Sequence, residues 1–166
     1  MKKLIDPVQS TESFFANVNY LGEKLGPILF QLPPFLPFNY NRLELFLEHL
    51  PTSYRYTFEF RNTTWYNDKI YDLLKKYNVA FCIYEIDRHL SPITITADFV
   101  YVRLHGPEGK YAGSYTDKAL KEWAKQCLQW SKNNKEVFIY FDNDQLGYAA
   151  FNAQRLLEMI NSEILL

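Results

Sequence analysis

The sequence predicts an α/β fold, a partial TIM-type (β/α) barrel in which about five parallel strands alternate with helices. Apolar runs of strand length alternate with segments of helical spacing throughout, the pattern of parallel strands joined by right-handed crossovers. Such alternation also fits a doubly wound open sheet, but strands buried on both faces of an open sheet read as near-continuous apolar runs. Three strands here place polar residues on one face, which suits a barrel interior opening onto a site. The chain has 166 residues, whereas a closed eight-unit barrel takes about 250. Only part of a barrel is therefore expected, as a single domain over residues 1–166.

The elements follow from periodicity and punctuation. Phe14, Val18, Leu21 and Leu25 recur at helical spacing within residues 11–25, and Gly26-Pro27 stops that helix. Residues 28–32 form a short buried strand closed by Pro33-Pro34, which cannot continue a ladder. Asn41 with Glu44 resembles a capping pair, and Leu43, Phe46, Leu47 and Leu50 stripe a second helix. A strand is expected over residues 54–61 and a loop over 62–65, then a helix marked by Ile70, Leu73, Leu74 and Tyr77. Residues 79–84 form the next strand, followed by an irregular stretch to about Ala97. The strand Phe99 to Leu104 leads into a loop rich in Gly and Tyr, Gly106 to Ser114. Leu120, Trp123, Ala124 and Cys127 define a long helix, residues 137–141 the last strand, and Ala149, Ala150, Ala153, Leu156, Leu157 and Ile160 the final helical stripe.

Composition narrows the function classes. Hydrophobic residues make up 48% of the chain, with 13 Tyr and 13 Phe, enough for a sizeable core. A net charge of -1 gives no whole-chain electrostatic case for nucleic acid or an anionic membrane. Cys82 and Cys127 read as small buried hydrophobes rather than a disulfide framework. The first residues, Met1 to Pro7, hold no apolar run of signal-peptide length, and no segment reaches the length of a membrane span. A cytoplasmic protein without a membrane partner is expected. No phosphate-binding loop, dinucleotide fingerprint, nucleophile elbow or Cys-x-x-Cys is present, so no cofactor is assigned.

Period-two alternation then locates the chemistry. Val100, Val102 and Leu104 share one face of their strand, and Tyr101, Arg103 and His105 the other. Thr57, Glu59 and Arg61 oppose the aromatics Tyr56, Phe58 and Phe60; Gln31 opposes Ile28, Phe30 and Leu32. In the last strand Asp142 and, by continuation, Asp144 fall on the face of Phe138 and Tyr140. Gln31, Glu59, Arg61, Arg103, His105, Asp142 and Asp144 thus gather at the C-terminal strand ends, where ligands bind in parallel α/β folds. Glu59, His105 and Asp144 are the candidate acid–base residues. Arg61 and Arg103 suit a carboxylate or phosphate, with Gln31 beside them as a further ligand-binding candidate. Trp65 and Tyr111 either stack on a planar ligand or cap the core. The plainer alternative makes the charges internal struts, Glu59 with Arg61 or Arg103 and Asp144 with His105. The loop after the central strand and Gly147 hint at a phosphate, against which Asp142 and Asp144 would act. His105 with Glu59, Asp142 and Asp144 could hold Mg²⁺ or Mn²⁺ through oxygens, yet no ligand spacing demands a metal, and none is assigned. His49 and His89 are placed in solvent.

Several blocks resemble a known family: residues 27–34 (PILFQLPP), 58–65 (FEFRNTTW), 98–106 (DFVYVRLHG), 111–115 (YAGSY), 140–144 (YFDND), Trp123-Ala124 and Asn152-Ala153. In order and over nearly the whole chain they resemble the YecE-like family of unknown function (domain of unknown function 72). The resemblance implies a TIM-type barrel and a site, without naming a reaction. The family's Arg-Leu-His-Gly pattern falls on Arg103 to Gly106, and its Tyr-Phe-Asn-Asn-Asp pattern on Tyr140 to Asp144, which adds Asn143 to the binding candidates. This sequence departs from the family at Asn62, where His is usual, at Thr64, where Ser is usual, and at Asp142, where Asn is usual. The matching blocks correspond to the larger C-terminal part of the family domain, so a truncated domain with two open strand edges is expected, covered by self-association or by a partner chain completing the barrel. The functional expectation is acid–base or hydrolytic chemistry on a small anionic or phosphorylated ligand. Nucleic acid has only analogy to barrel nucleases behind it. The competing reading is a non-catalytic binding module or an inactive remnant.

Overall fold

A computed structural model describes Leu4 and residues 7–164. The chain divides into two compact units, residues 1–81 and 82–166. Parallel strands alternate with helices, as the sequence predicts.

The first unit holds α1 (Pro7–Val18), β1 (Ile28–Leu32), α2 (Tyr40–Glu48), β2 (Tyr56–Phe60) and α3 (Asp68–Lys76). β3 (Ala80–Ile86) gives its first two residues to this unit. β1 runs parallel to β2, with Phe30 opposite Phe58 and Gln31 opposite Glu59. Phe58 in turn lies opposite Phe81. This register stacks the aromatic faces into one layer: Phe58 lies 5.2 Å from Phe30 and 5.9 Å from Phe60 between ring centroids. Such offset aromatic pairs add to the burial of their area. Leu43, Phe46 and Leu47 of α2 and Ile70, Leu73 and Leu74 of α3 are buried, matching their predicted stripes. Two local expectations change. The cap of α2 is Asn39, whose side chain accepts from the Arg42 amide, and not Asn41; Glu44 instead pairs with Lys76 at 3.1 Å. The first helix ends at Val18 and continues as a 3₁₀ turn to Lys24, leaving Phe14 and Leu21 exposed.

The second unit holds the rest of β3, β4 (His89–Leu90), β5 (Phe99–Leu104), α4 (Asp117–Lys132), β6 (Glu136–Phe141) and α5 (Tyr148–Ile164). β5 is paired on both sides, with Tyr84 and Tyr140 each opposite Arg103. β4 is an unexpected antiparallel strand in the stretch predicted as irregular, and it carries His89. Asp87 and Arg88 both take positive φ, 52° and 63°, the twist a two-residue hairpin needs. Neither is Gly or Asn, so the usual composition cue is missing. Among the described side chains of α5 the buried ones are Ala149, Asn152 and Leu156, while Leu157 and Phe151 are exposed. The predicted stripe is rotated because a polar residue, Asn152, sits on the buried face. Both cysteines are free, and burial pushes the Cys127 thiol up to about 11.

Phe58 anchors the aromatic layer and is fully buried. Its replacement by Ala is expected to cost about 3–5 kcal/mol of stability through lost transfer energy and a cavity. Chemical denaturation would show this as a lower midpoint at an unchanged slope.

Candidate functional site

The expected site residues fall into two groups, one in each unit. In the first unit Glu59 is fully buried and forms an ion pair with Arg61, whose side chain is 11% exposed. Gln31 and Thr57 share its strand face by register, Gln31 exposed and Thr57 buried. Trp65 is fully buried: its Nε1–H donates to the Leu36 carbonyl at 2.8 Å and its ring stacks on Phe60 at 5.0 Å. It caps the core and leaves no open ring face for a ligand, so the stacking role does not fit it. Asn62 and Thr64, two of the three positions that depart from the family pattern, build the adjoining 3₁₀ turn. Asn62 Nδ2 donates to the Pro34 carbonyl at 2.7 Å, and its Oδ1 accepts from the Thr64 amide and hydroxyl. The Thr64 hydroxyl accepts from the Phe38 amide.

In the second unit one carboxylate oxygen lies beside two basic side chains. Asp142 Oδ2 lies 2.9 Å from Arg103 Nη2 and 3.4 Å from His105 Nδ1. His105 is fully buried, Arg103 and Asp142 partly so. The carboxylate beside His105 is therefore Asp142, and Asp144 is not its partner. Strand alternation ends with the strand at Phe141; Asp142 still closes the ladder by donating its amide to the Leu104 carbonyl, but Asp144 lies beyond it. Asp144 is exposed at the start of a short 3₁₀ turn. Tyr111, half exposed, sets its ring edge-on to His105 at 5.4 Å, and its amide donates to the His105 carbonyl. Gly106 has a φ of 108°, and a Cβ there would lie 2.2 Å from the Ala112 carbonyl oxygen, so the loop can return over His105 only with Gly at this position.

Asn143 lies inside a buried network rather than in a binding cleft. Its Nδ2 donates to the Gly113 carbonyl at 2.8 Å and to Asn152 Oδ1 at 2.9 Å. Asn152 Oδ1 also accepts from the Tyr115 amide, and its Nδ2 donates to Ser114 Oγ. Backbone groups at both ends settle which amide atom donates and which accepts. Asn143 Oδ1, fully buried, has no hydrogen-bond partner among the described residues.

Glu85 and Tyr115 form a feature that sequence reasoning missed. Glu85 is paired with Leu104, so it lies on the face of Val102 and Leu104, opposite that of Arg103. The Tyr115 hydroxyl hydrogen-bonds the Glu85 carboxylate and accepts from the Gly106 amide at 3.1 Å. Burial raises the Glu85 carboxyl above the usual range, and the Tyr115 hydrogen bond opposes that rise. The predicted strand stopped at Tyr84, which left Glu85 outside the alternation; the strand continues to Ile86. Among the described residues no three of the His, Cys, Asp and Glu side chains come together as a metal site. Nor is any described helix long and apolar enough to cross a membrane.

Parallel strands alternating with helices, with charged side chains at the strand ends, define an α/β protein of the barrel-like class. The chain belongs to the family described as "Protein of unknown function DUF72", whose profile matches residues 1–165. It is similar to the UPF0759 protein YunF of Bacillus subtilis (strain 168), at 25% identity over 86% of this chain and 60% of that protein. Among solved structures it is similar to a DUF72 family protein (TM1631) from Thermotoga maritima MSB8, with 28% identity and a TM-score of 0.83. That match covers 94% of this chain and 66% of the other. A second, the DUF72 family protein EF0366 from Enterococcus faecalis V583, has 18% identity and a TM-score of 0.74 over 93% of this chain and 65% of its own, and shows the fold alone. The chain thus spans somewhat under two thirds of the length of these relatives.

Two outcomes test the network and the raised carboxyl. Asn152→Ala strands the Tyr115 amide and one Asn143 N–H, and is expected to cost about 2–3 kcal/mol, read by chemical denaturation. For Glu85 the folded state holds its proton more tightly than the unfolded chain. The stability this gives is complete below the usual glutamate value and is lost as pH rises through the folded value. Glu85→Gln cannot titrate. Calorimetric melting across mildly acidic to neutral pH should show the natural chain losing ground against the Gln variant as pH rises.

Proposed function

We propose that the second unit binds a small anionic ligand, such as a phosphorylated compound, and performs acid–base or hydrolytic chemistry on it at Arg103, His105 and Asp142. The observation that carries this reading is the single Asp142 oxygen shared by Arg103 and His105 Nδ1. The carboxylate lies 3.4 Å from Nδ1 of a fully buried imidazole, close enough to favour one orientation and charge state of a residue type suited to proton transfer. Arg103, partly exposed beside Asp142, carries a planar guanidinium fork of the kind that suits a phosphate or carboxylate. Tyr111, edge-on to the imidazole and half exposed, is the neighbour best placed to contact a bound ligand. Glu59 with Arg61 is proposed separately, as an acid–base pair of the first unit; the fully buried carboxylate, ion-paired to Arg61, supports it equally as a strut. Asp144 keeps the weaker place of an exposed acid near the same loop. A cytoplasmic setting belongs to this proposal, supported by the two free, buried cysteines.

Titration with inorganic phosphate and with p-nitrophenyl phosphate tests the reading. Phosphate is expected to shift the His105 ring signals in NMR spectra, and Arg103→Ala to weaken binding by about ten-fold or more. If turnover occurs, His105→Asn should lower it by about 10²–10⁴-fold. Binding without turnover would favour a non-catalytic binding module. His105 signals that no phosphate moves, together with an Arg103→Ala chain that loses stability alone, would leave the cluster as internal struts.

A further inference from the structure

The second unit carries a pocket of about 330 Å³ on the helix-facing side of its sheet, away from Arg103 and Asp142. Its size lies at the small end of the range for small-molecule sites. The β3–β4 hairpin places Leu90 opposite Glu85, and Ile93 and Pro107 extend the apolar wall. Trp123 of α4 and Tyr115 add aromatic surface. The charged groups of the lining are both acids, Glu85 and Glu122, with no Lys or Arg among the described lining residues. Glu122 is exposed and already paired with Lys125 at 2.8 Å, which leaves Glu85 as the acid of the pocket without a cation beside it. Glu85 is half buried, and the interaction that holds it, the Tyr115 hydroxyl, brings no charge.

We propose that this pocket binds a small organic ammonium ion with an aliphatic body, its charged head between the Glu85 carboxylate and the aromatic rings of Trp123 and Tyr115, its chain against Leu90, Ile93 and Pro107. A carboxylate flanked by aromatic faces is the chemistry that recognises an ammonium group. The ring quadrupole attracts the cation where water is partly excluded, and the carboxylate receives its N–H donors. An anion would meet two acids. A neutral apolar compound would fill the walls but leave the desolvated carboxylate as it was, without the gain that neutralising it brings. The aliphatic body is set by the wall: Leu90 and Ile93 are each 46% exposed, apolar area that a short alkyl chain would cover. Tyr115 is also the anchor of the Gly106 and Asn152 hydrogen bonds, so its ring is fixed before any ligand arrives.

The site stands apart from the proposed anion site, with the opposite charge preference and on the opposite sheet face, so either can fail alone. Calorimetric titration of the full chain near neutral pH with n-pentylammonium, n-pentanol and n-pentanoate tests it. Pentylammonium is expected to bind at least about ten-fold more tightly than pentanol, with pentanoate not competing. The Trp123 indole signal should move on binding. Glu85→Gln, which keeps the side-chain shape, should reduce pentylammonium affinity by about ten-fold and abolish its advantage over pentanol. Should that variant fail to fold, the three-ligand comparison on the natural chain decides by itself. Equal or tighter binding of pentanol or pentanoate, no binding of pentylammonium, or binding that leaves the Trp123 signal in place would overturn the proposal.

Discussion

The parallel register that holds β5 between β3 and β6 decides which side chains of the second unit can meet. Because both neighbours are parallel and in continuous register, Tyr84, Arg103 and Tyr140 lie abreast on one face, and Ile83, Val102 and Ile139 on the other. The ladder also reaches past the strand ends, through the His105 amide to the Glu85 carbonyl and the Asp142 amide to the Leu104 carbonyl. Those two bonds carry His105 and Asp142 to the same level, where one carboxylate oxygen reaches both basic side chains. A slip of one residue would send Arg103 to the helix-facing side and leave it without Asp142.

The two sheet faces solve the problem of buried charge differently. On the Arg103 face the solution is Coulombic, with a carboxylate answering a guanidinium and an imidazole. Removing one member would strand another, since an uncompensated buried charge costs more than the pair contributes. On the Glu85 face no opposite charge is supplied. The carboxyl is held by a phenol, whose hydrogen bond opposes without cancelling the rise in proton affinity that burial brings. The same element thus offers a compensated cluster on one side and an uncompensated acid on the other, which is why the two candidate ligands differ in sign.

Much of this was legible in the sequence, and the failures have physical causes. Period two places Arg103 with His105 and Glu59 with Arg61, because Arg103 and Glu59 lie within regular strands and His105 and Arg61 follow at once, where the ladder bonds still hold. It failed one step beyond, at Asp144, because the chain turns after Phe141 and alternation no longer holds. The β3–β4 hairpin was hidden because Asp87-Arg88 adopts positive φ without the Gly or Asn that announces it. Ending the strand at Tyr84 then concealed Glu85. The final helix departs from its pattern for another reason: its buried face includes Asn152, which sequence patterning treats as exposed. Trp65 was ambiguous in sequence since an aromatic in a loop can face either way; the Leu36 carbonyl settles it as core.

Tyr115 ties these observations into one local design. Its hydroxyl serves Glu85 and the Gly106 amide, its own amide is received by Asn152, and its ring meets Phe141 edge-on at 5.7 Å. Burial and the neighbouring Glu85 carboxylate raise the phenol well above its ordinary value, so it remains a donor wherever the sheet is folded. Through Gly106 it fixes the backbone immediately after His105, and through Asn152 it reaches Asn143, the residue after Asp142. One aromatic residue in a loop therefore holds the chain that positions the Arg103, His105 and Asp142 cluster while forming a wall of the pocket behind it. Its side chain and its backbone are committed to different parts of the unit, the hydroxyl to the end of β3 and the amide to α5, and Gly106, at positive φ, lets the loop turn back over His105 to make both commitments.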